Sequence, residues 1–202
     1  MKIFFDYDNT LNNFVFVWVD WIRREHGIKI ETSDIEHYEW ISENFGKEMN
    51  QLWLDPEVYS ITGKPKISPL PGMEELVSVC MDKFGEENVK IITTSPKNQD
   101  LRWMKEAHIE HFFGIKSDNV IHAIDKHNFT GNNILVEDYY YNAQKHVEVN
   151  PFGHSILFNY EGFYGGWSRG PKHERIIERY TAYGVNEAIE RIIEYNGTTS
   201  LR

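Results

Sequence analysis

Five short apolar runs, separated by segments of helical periodicity, are the feature that most limits how this chain can fold. The runs are KIFFDY, VKIITTS, NVIHAI, NILVED and HSILFN. Strands that are apolar throughout and alternate with helices are typical of a parallel sheet covered on both faces. The pattern therefore predicts an α/β fold: a Rossmann-like parallel sheet with helices on both faces.

Polar residues follow four of these runs at the point where each predicted strand ends. They are Asp6, Asp8 and Thr10; Thr94 and Ser95; Asp125 and Lys126; and Glu137 and Asp138. Ligands of open parallel sheets bind beyond the carboxyl ends of the strands. We therefore expect these residues to meet in one site suited to a phosphate or a metal.

The segment between the first two runs is long and helical in its pattern. It contains FVFVWVDWIRREHG, YEWISENFG and KEMNQLWL, and Ser33 with Glu36 fits a capping box before the second of these. We predict that residues 13–70 form a small helical cap inserted after the first strand. The core would then consist of residues 1–12 and 71–202.

Three further helices are predicted within that core. They are MEELVSVCMDKFG, NQDLRWMKEAH and NEAIERIIEYNG. In the last, Asn186 is a suitable N-cap and Gly197 lies past the expected end. The glycine-rich sequence GFYGGWSRG lacks the Lys-Ser/Thr ending of a P-loop, so it does not indicate a nucleoside triphosphate site. We expect it to be a surface loop, with a mobile lid near the pocket as the alternative.

The charge and cysteine content exclude several functional classes. The formal net charge is −10, with 21 Lys and Arg against 31 Asp and Glu. A nucleic-acid surface needs clustered basic charge, so nucleic acid is not an expected partner. One cysteine, Cys80, rules out an internal disulfide framework. There is no apolar stretch of membrane-spanning length and no signal-peptide pattern, so we expect a cytoplasmic protein without membrane contact.

The aspartates after the first run suggest a metal and a phosphate. Residues i and i+2 of an extended chain point to the same side, so Asp6 and Asp8 converge and repel unless a cation compensates. Mg²⁺ prefers such oxygen ligands, and Asp138 would complete the set. One aspartate can attack phosphorus while the other transfers protons. Thr94 and Lys126 would bind the phosphate oxygens.

Four features follow one another along the chain: DYDNTL, Thr94 after a strand, Lys126 before the next strand, and ILVED. In order and spacing they resemble the four motifs of the haloacid-dehalogenase-like (HAD) phosphohydrolases. The resemblance implies that Asp6 is the nucleophile and Asp8 the general acid and base. It also implies that Asp8 gives the metal its backbone carbonyl, that Asp138 is a metal ligand, and that Thr94 and Lys126 hold the phosphate.

A closer similarity runs through LNNF, YEWISENFG, PLPGMEEL, TTSP and DK, which look like the 5'(3')-deoxyribonucleotidase family. That family dephosphorylates deoxynucleoside monophosphates. The resemblance implies a base site formed by Phe14, Trp40 and Ile41, with Ser95 as a further phosphate contact. Tyr139 stands where relatives often have a basic residue, which leaves the base preference open.

Together these features predict a Mg²⁺-dependent phosphatase acting on small (deoxy)nucleoside monophosphates. Two alternatives remain: a HAD phosphatase for another small phosphorylated metabolite, and a non-catalytic nucleotide-binding relative. A polynucleotide end-phosphatase is disfavoured by the net charge and by the small cap. The sequence leaves the oligomeric state open, with a homodimer among the alternatives.

Overall fold

The computed structural model describes residues 1–37, 39–62, 66–95 and 97–199. Its centre is a six-stranded parallel sheet, which confirms the predicted α/β class. The strands are β1 (Ile3–Phe5), β2 (Val89–Thr93), β3 (Val120–His122), β4 (Ile134–Glu137), β5 (His154–Phe158) and β6 (Ile176–Arg179).

The strand order, β3-β2-β1-β4-β5-β6, determines where a ligand can bind. β1 pairs with β2 on one side and with β4 on the other, with Ile3 opposite both Val89 and Ile134. Strands β2 and β3 follow β1 toward one edge of the sheet, and strands β5 and β6 follow β4 toward the other edge. Such a reversal opens a crevice beyond the carboxyl ends of the two central strands. Asp6 and Asp138 directly follow these two ends.

Eight α-helices are described. They are α1 (Phe14–His26), α2 (Trp40–Phe45), α3 (Gln51–Leu54), α4 (Met73–Phe84), α5 (Gln99–Phe113), α6 (His127–Thr130), α7 (Tyr140–Val149) and α8 (Ala182–Thr199). The Asn98 side chain caps α5 by accepting hydrogen bonds from the N–H groups of Asp100 and Leu101. Gly114, at φ 67°, ends it in the left-handed conformation that glycine adopts without strain.

The structure corrects two local predictions and adds one strand. Strand β6 was not predicted, because its short sequence, IIER, is only half-buried at the sheet edge and mixes apolar with charged residues. Helix α8 begins earlier than expected, so Asn186 and Gly197 both lie within its bounds. The Thr181 hydroxyl accepts from the Gly184 N–H at the start of α8. In the cap segment, Asp34 accepts from the Glu31 N–H, so the capping box lies two residues before the predicted Ser33–Glu36 box.

The helical segment after β1 packs on the sheet through a shared apolar cluster. Trp18 and Ile22 of α1 and Ile41 of α2 are buried in the same cluster as Phe5 and Val136 of the sheet. Short 3₁₀ turns at 32–34, 47–50 and 56–59 join the helices of this segment. The segment therefore covers the sheet, while its division from the core at residues 13 and 70 stays a prediction.

Within the described residues, every helix is too short or too polar to cross a membrane. The cytoplasmic location expected from the sequence stays a prediction.

Candidate active site

Three buried carboxylates meet at the crevice between β1 and β4. Asp6 follows β1, Glu137 is the last residue of β4, and Asp138 comes next in the chain. One carboxylate oxygen from each lies within 4.8 Å of the others. Each of the three residues is at most 5% exposed. Hard oxygen ligands at this spacing fit a divalent cation such as Mg²⁺.

Lys126 bridges two of these carboxylates from the turn after β3. Its Nζ lies 2.6 Å from Asp6 Oδ1 and 2.8 Å from Glu137 Oε2. Burial lowers the pKa of Lys126, but the charges of Asp6 and Glu137 outweigh burial, and the pKa rises above its ordinary value. Lys126 therefore stays protonated and fixes Asp6 in place.

The Asp8 carboxylate points to a different set of partners. Lys105 Nζ lies 2.6 Å from Oδ2, while the Tyr59 hydroxyl donates to Oδ1 at 2.8 Å and the Asn12 amide at 3.2 Å. The Asp8 side chain is thus held by α5 and by the 3₁₀ turn at 56–59. Among the described residues, the Asp8 carboxylate is not part of the cluster formed by Asp6, Glu137 and Asp138.

Lys105 also connects the segment that follows β1 with the carboxyl end of β2. Besides its ion pair with Asp8, its Nζ contacts the Thr93 hydroxyl at 3.3 Å and the Thr94 carbonyl at 3.1 Å. The lysine is 1% exposed. A buried ammonium is costly unless it is paired and fully hydrogen-bonded, and all three contacts contribute to that requirement.

The innermost charges do not balance. Among the described residues, Asp6, Asp8, Glu137 and Asp138 face the two ammonium groups of Lys105 and Lys126, so with all four carboxyl groups ionised two negative charges would be uncompensated. Burial, followed by the neighbouring Glu137, raises the pKa of Asp6 well above its usual range and that of Asp138 to about 7. One divalent cation would neutralise this excess, so the described side chains fit a Mg²⁺ site.

A pocket of about 310 Å³ opens above these groups. Its floor is polar, and one wall is largely aromatic. The lining residues are Asp6, Asp8, Asn9, Val15, Trp18, Ile35, Glu39, Trp53, Thr94, Ile124, Asp125, Lys126, His127, Glu137, Asp138, Tyr139, Tyr141, Asn142 and Trp167. A cavity of this size suits a small ligand whose polar end reaches the strand ends.

Thr94 and Ser95, the two residues after β2 that were predicted to contact phosphate, lie in different places. Thr94 lines the pocket, and its hydroxyl donates to the Ala123 carbonyl at 3.2 Å. Ser95 is buried outside the described lining, with its hydroxyl 2.9 Å from His122 Nδ1. The other nitrogen of His122, Nε2, lies 2.9 Å from Glu106 Oε1. Thr94 and Lys126 are therefore brought together in the pocket, and Ser95 is not.

The residues expected to surround a base do not line the pocket as described. Phe14 and Ile41 are fully buried, and Trp40 is half-buried with its ring centroid 5.6 Å from that of Phe45. All three fall outside the lining formed by the described residues. Phe14 instead supports Trp53, which does line the pocket, at a centroid distance of 4.4 Å.

Sequence reasoning left three residues of the site without a role. Lys105 had a recognisable signal, because it shares the apolar face of α5 with Leu101 and Ile109 at intervals of four residues. Glu137 ends an apolar run, but its sequence neighbours do not show that it shares Lys126 with Asp6. Trp167 had no signal, since only the fold brings its loop to Asp138.

Comparisons with known proteins add a fold likeness. No protein-family model and no curated protein matches the sequence. Among solved structures, the chain is similar to a D,D-heptose 1.7-bisphosphate phosphatase from B. bronchiseptica, complexed with magnesium and phosphate. The two share 11% identity over 95% of this chain and 99% of the other, with a TM-score of 0.48. At this identity and TM-score, the likeness assigns no activity to this chain.

Proposed function

We propose that this protein is a Mg²⁺-dependent phosphatase that hydrolyses small phosphoric monoesters. One observation carries the proposal: a buried carboxylate, Asp6, faces a ligand-sized pocket in a site that lacks two positive charges. A metal cation would supply these charges and would also attract a phosphate, which the carboxylates alone would repel.

Asp6 is the proposed nucleophile. Its carboxylate oxygen would attack phosphorus, and the bond from phosphorus to the leaving alcohol oxygen would break. Lys126, 2.6 Å from Asp6 Oδ1, would hold the attacking group and face the negative charge that develops on the phosphoryl oxygens. Water would then hydrolyse the aspartyl-phosphate, releasing phosphate and regenerating Asp6.

Asp8 is the proposed general acid and base. It would give a proton to the departing alcohol oxygen and take one from the attacking water in the second step, so its protonation state is restored. Tyr59 and Lys105 both donate to this carboxylate and would fix its orientation. Thr94, at the pocket wall, is the proposed further phosphate contact.

Four groups are proposed to hold the Mg²⁺ ion: the carboxylates of Asp6, Glu137 and Asp138, and the backbone carbonyl of Asp8. Bound there, Mg²⁺ would neutralise the carboxylates and polarise the phosphoryl group. Glu137 is an addition to the predicted ligand set of Asp6, Asp8 and Asp138. Its Oε2 is shared with Lys126, and its Oε1 accepts from the Tyr139 N–H at 3.3 Å.

A (deoxy)nucleoside monophosphate is the proposed substrate. The aromatic side chains that line the pocket, Trp18, Trp53, Tyr139, Tyr141 and Trp167, support this proposal together with the sequence resemblance. Aromatic rings bind the flat faces of bases by stacking. The phosphate would lie at the polar floor beside Asp6, with the base toward this wall. The base preference and the choice between 5' and 3' phosphates are left to experiment.

Phosphate release from a panel of monophosphates tests the function directly. The panel contains all common ribo- and deoxynucleoside monophosphates, sugar phosphates and a small aryl phosphate. We expect turnover with Mg²⁺ and none after exhaustive chelation, because the floor carboxylates repel a phosphate without a cation. Turnover that survives chelation would refute the metal mechanism, and a preference for sugar phosphates would refute the nucleotide assignment.

The Trp53→Ala substitution tests the aromatic wall. Stacking is worth about 1–3 kcal/mol per base, so kcat/KM for a nucleotide should fall roughly 5- to 150-fold. Activity on a small aryl phosphate, which does not reach the wall, should fall much less. Trp103→Ala is the control, since Trp103 is 60% exposed on α5 and lies outside the described lining. Equal losses on both substrates, with a lower melting temperature, would mean that Trp53 only supports the fold.

A further inference from the structure

The glycine-rich segment 162–170, expected from the sequence to be a surface loop, forms part of the site. Trp167 is 6% exposed and lines the pocket, and Tyr164 is fully buried. The two rings stack with centroids 5.2 Å apart. The Tyr164 hydroxyl donates to the Asn9 carbonyl in the turn after β1. The Trp167 indole Nε1 donates to Asp138 Oδ2 at 2.8 Å.

Backbone contacts with the cap segment hold this loop in place. The Gly166 N–H donates to the Ile35 carbonyl at 2.8 Å, and the Thr32 hydroxyl donates to the Phe163 carbonyl at 2.9 Å. A Cβ atom on Gly165 would lie 1.9 Å from the Ile35 carbonyl oxygen, a distance that no side chain tolerates. Glycine is therefore required for this approach. The indole of Trp167 consequently has a fixed position relative to Asp138.

The hydrogen bond from Trp167 leaves the two oxygens of Asp138 in different situations. Oδ2 accepts from the indole N–H, and one oxygen of Asp138 lies within 4.8 Å of carboxylate oxygens of Asp6 and Glu137. A carboxylate held in this way suits one-oxygen coordination. Mg²⁺ uses that mode in its strict octahedral shell, whereas Ca²⁺ commonly takes carboxylates through both oxygens.

We propose that Trp167 is a positioning residue that presents Asp138 to the metal through a single oxygen and thereby favours Mg²⁺ over Ca²⁺. The inference rests on the proposed function, since it concerns the metal of that site. Mutation of a group that hydrogen-bonds to a metal-ligating side chain, without contacting the metal itself, typically changes metal affinity 10- to 100-fold. The indole N–H is such a group, and the loop that carries it also contacts the pocket wall at Ile35.

The test is Trp167→Phe, which keeps an aromatic ring and removes the N–H. Binding of Mg²⁺ alone and of Ca²⁺ alone is measured by calorimetry and by the shift each ion causes in melting temperature. We expect the Kd for Mg²⁺ to rise roughly 10- to 100-fold and that for Ca²⁺ to rise less, because Asp138 gains a free second oxygen. Trp103→Phe is the matched control, since Trp103 is 60% exposed on α5.

The outcomes separate this inference from the proposed function. A wild-type protein that binds no Mg²⁺ would refute the function itself. Mg²⁺ binding by the wild type with unchanged Mg²⁺ and Ca²⁺ affinities in Trp167→Phe would overturn only the role of Trp167. If the variant does not fold, the wild type labelled with nitrogen-15 at tryptophan gives a second readout. An indole N–H resonance should then move on addition of Mg²⁺, and indole resonances that all stay in place would overturn the proposal.

Discussion

Replacing Asp6 with asparagine should lower turnover on the order of a millionfold, as is found when a covalent enzyme loses its nucleophile. The amide is nearly the same size as the carboxylate but cannot form the aspartyl-phosphate. Asp6 is also held against Glu137 and Asp138, and burial with these charges raises its pKa. The substitution relieves that repulsion, so the melting temperature of the metal-free protein should not fall.

The matched control for this variant is Asp82→Asn. Asp82 is an exposed residue of α4, far in the chain from the strand ends. Turnover is measured in single-turnover and steady-state experiments, together with a melting curve for each variant. A folded Asp6→Asn protein with turnover near the wild-type rate would show that another group attacks phosphorus.

The Asp8→Asn variant should lose both activity and stability. Loss of a general acid and base lowers turnover by roughly 100- to 10,000-fold. The substitution also leaves the Lys105 ammonium buried without its carboxylate partner at 2.6 Å. Removing one partner of a buried ion pair costs about 3–5 kcal/mol in the free energy of unfolding. Denaturant unfolding and phosphate release measure the two losses separately.

A double variant distinguishes the catalytic role of Asp8 from its structural one. In Asp8→Asn/Lys105→Met the uncompensated charge is gone, so part of the lost unfolding free energy should return. Activity should not return, because proton transfer still lacks its carboxylate. Recovery of both stability and activity would mean that Asp8 matters only as the partner of Lys105.

The sequence predicted the parts of the fold that follow from local pattern. The apolar runs of β1, β2 and β4 are buried on both faces, and their polar ends carry Asp6, Thr94 and Asp138 to one edge of the sheet. Strand β6 escaped prediction because an edge strand need not be continuously apolar. Its pairing with β5 depends on the fold of the whole chain.

The site was predictable to the extent that its residues follow strands directly. Asp6 and Asp138 do so, Lys126 lies four residues after the end of β3, and the structure brings the three side chains together. Lys105 and Trp167 reach the site from a helix face and a distant loop, and only tertiary packing shows these contacts. Phe14, Trp40 and Ile41 were predicted to surround a substrate base. Whether they affect base binding through the aromatic pocket wall, which Phe14 supports at Trp53, stays a prediction.

The central position of β1 has a consequence for how the chain assembles during synthesis. Of the six described strands, β1 leaves the ribosome before the other five, but its neighbours are β2 at Val89–Thr93 and β4 at Ile134–Glu137. Its apolar residues therefore have no native partner strand until much of the chain has been made. Such non-local pairing slows folding and leaves strand edges exposed to aggregation. The helical segment that emerges directly after β1 shares an apolar cluster with Ile3 and Phe5, so it offers the earliest native contact for these two residues, whereas Phe4 packs with residues of β2 and β4.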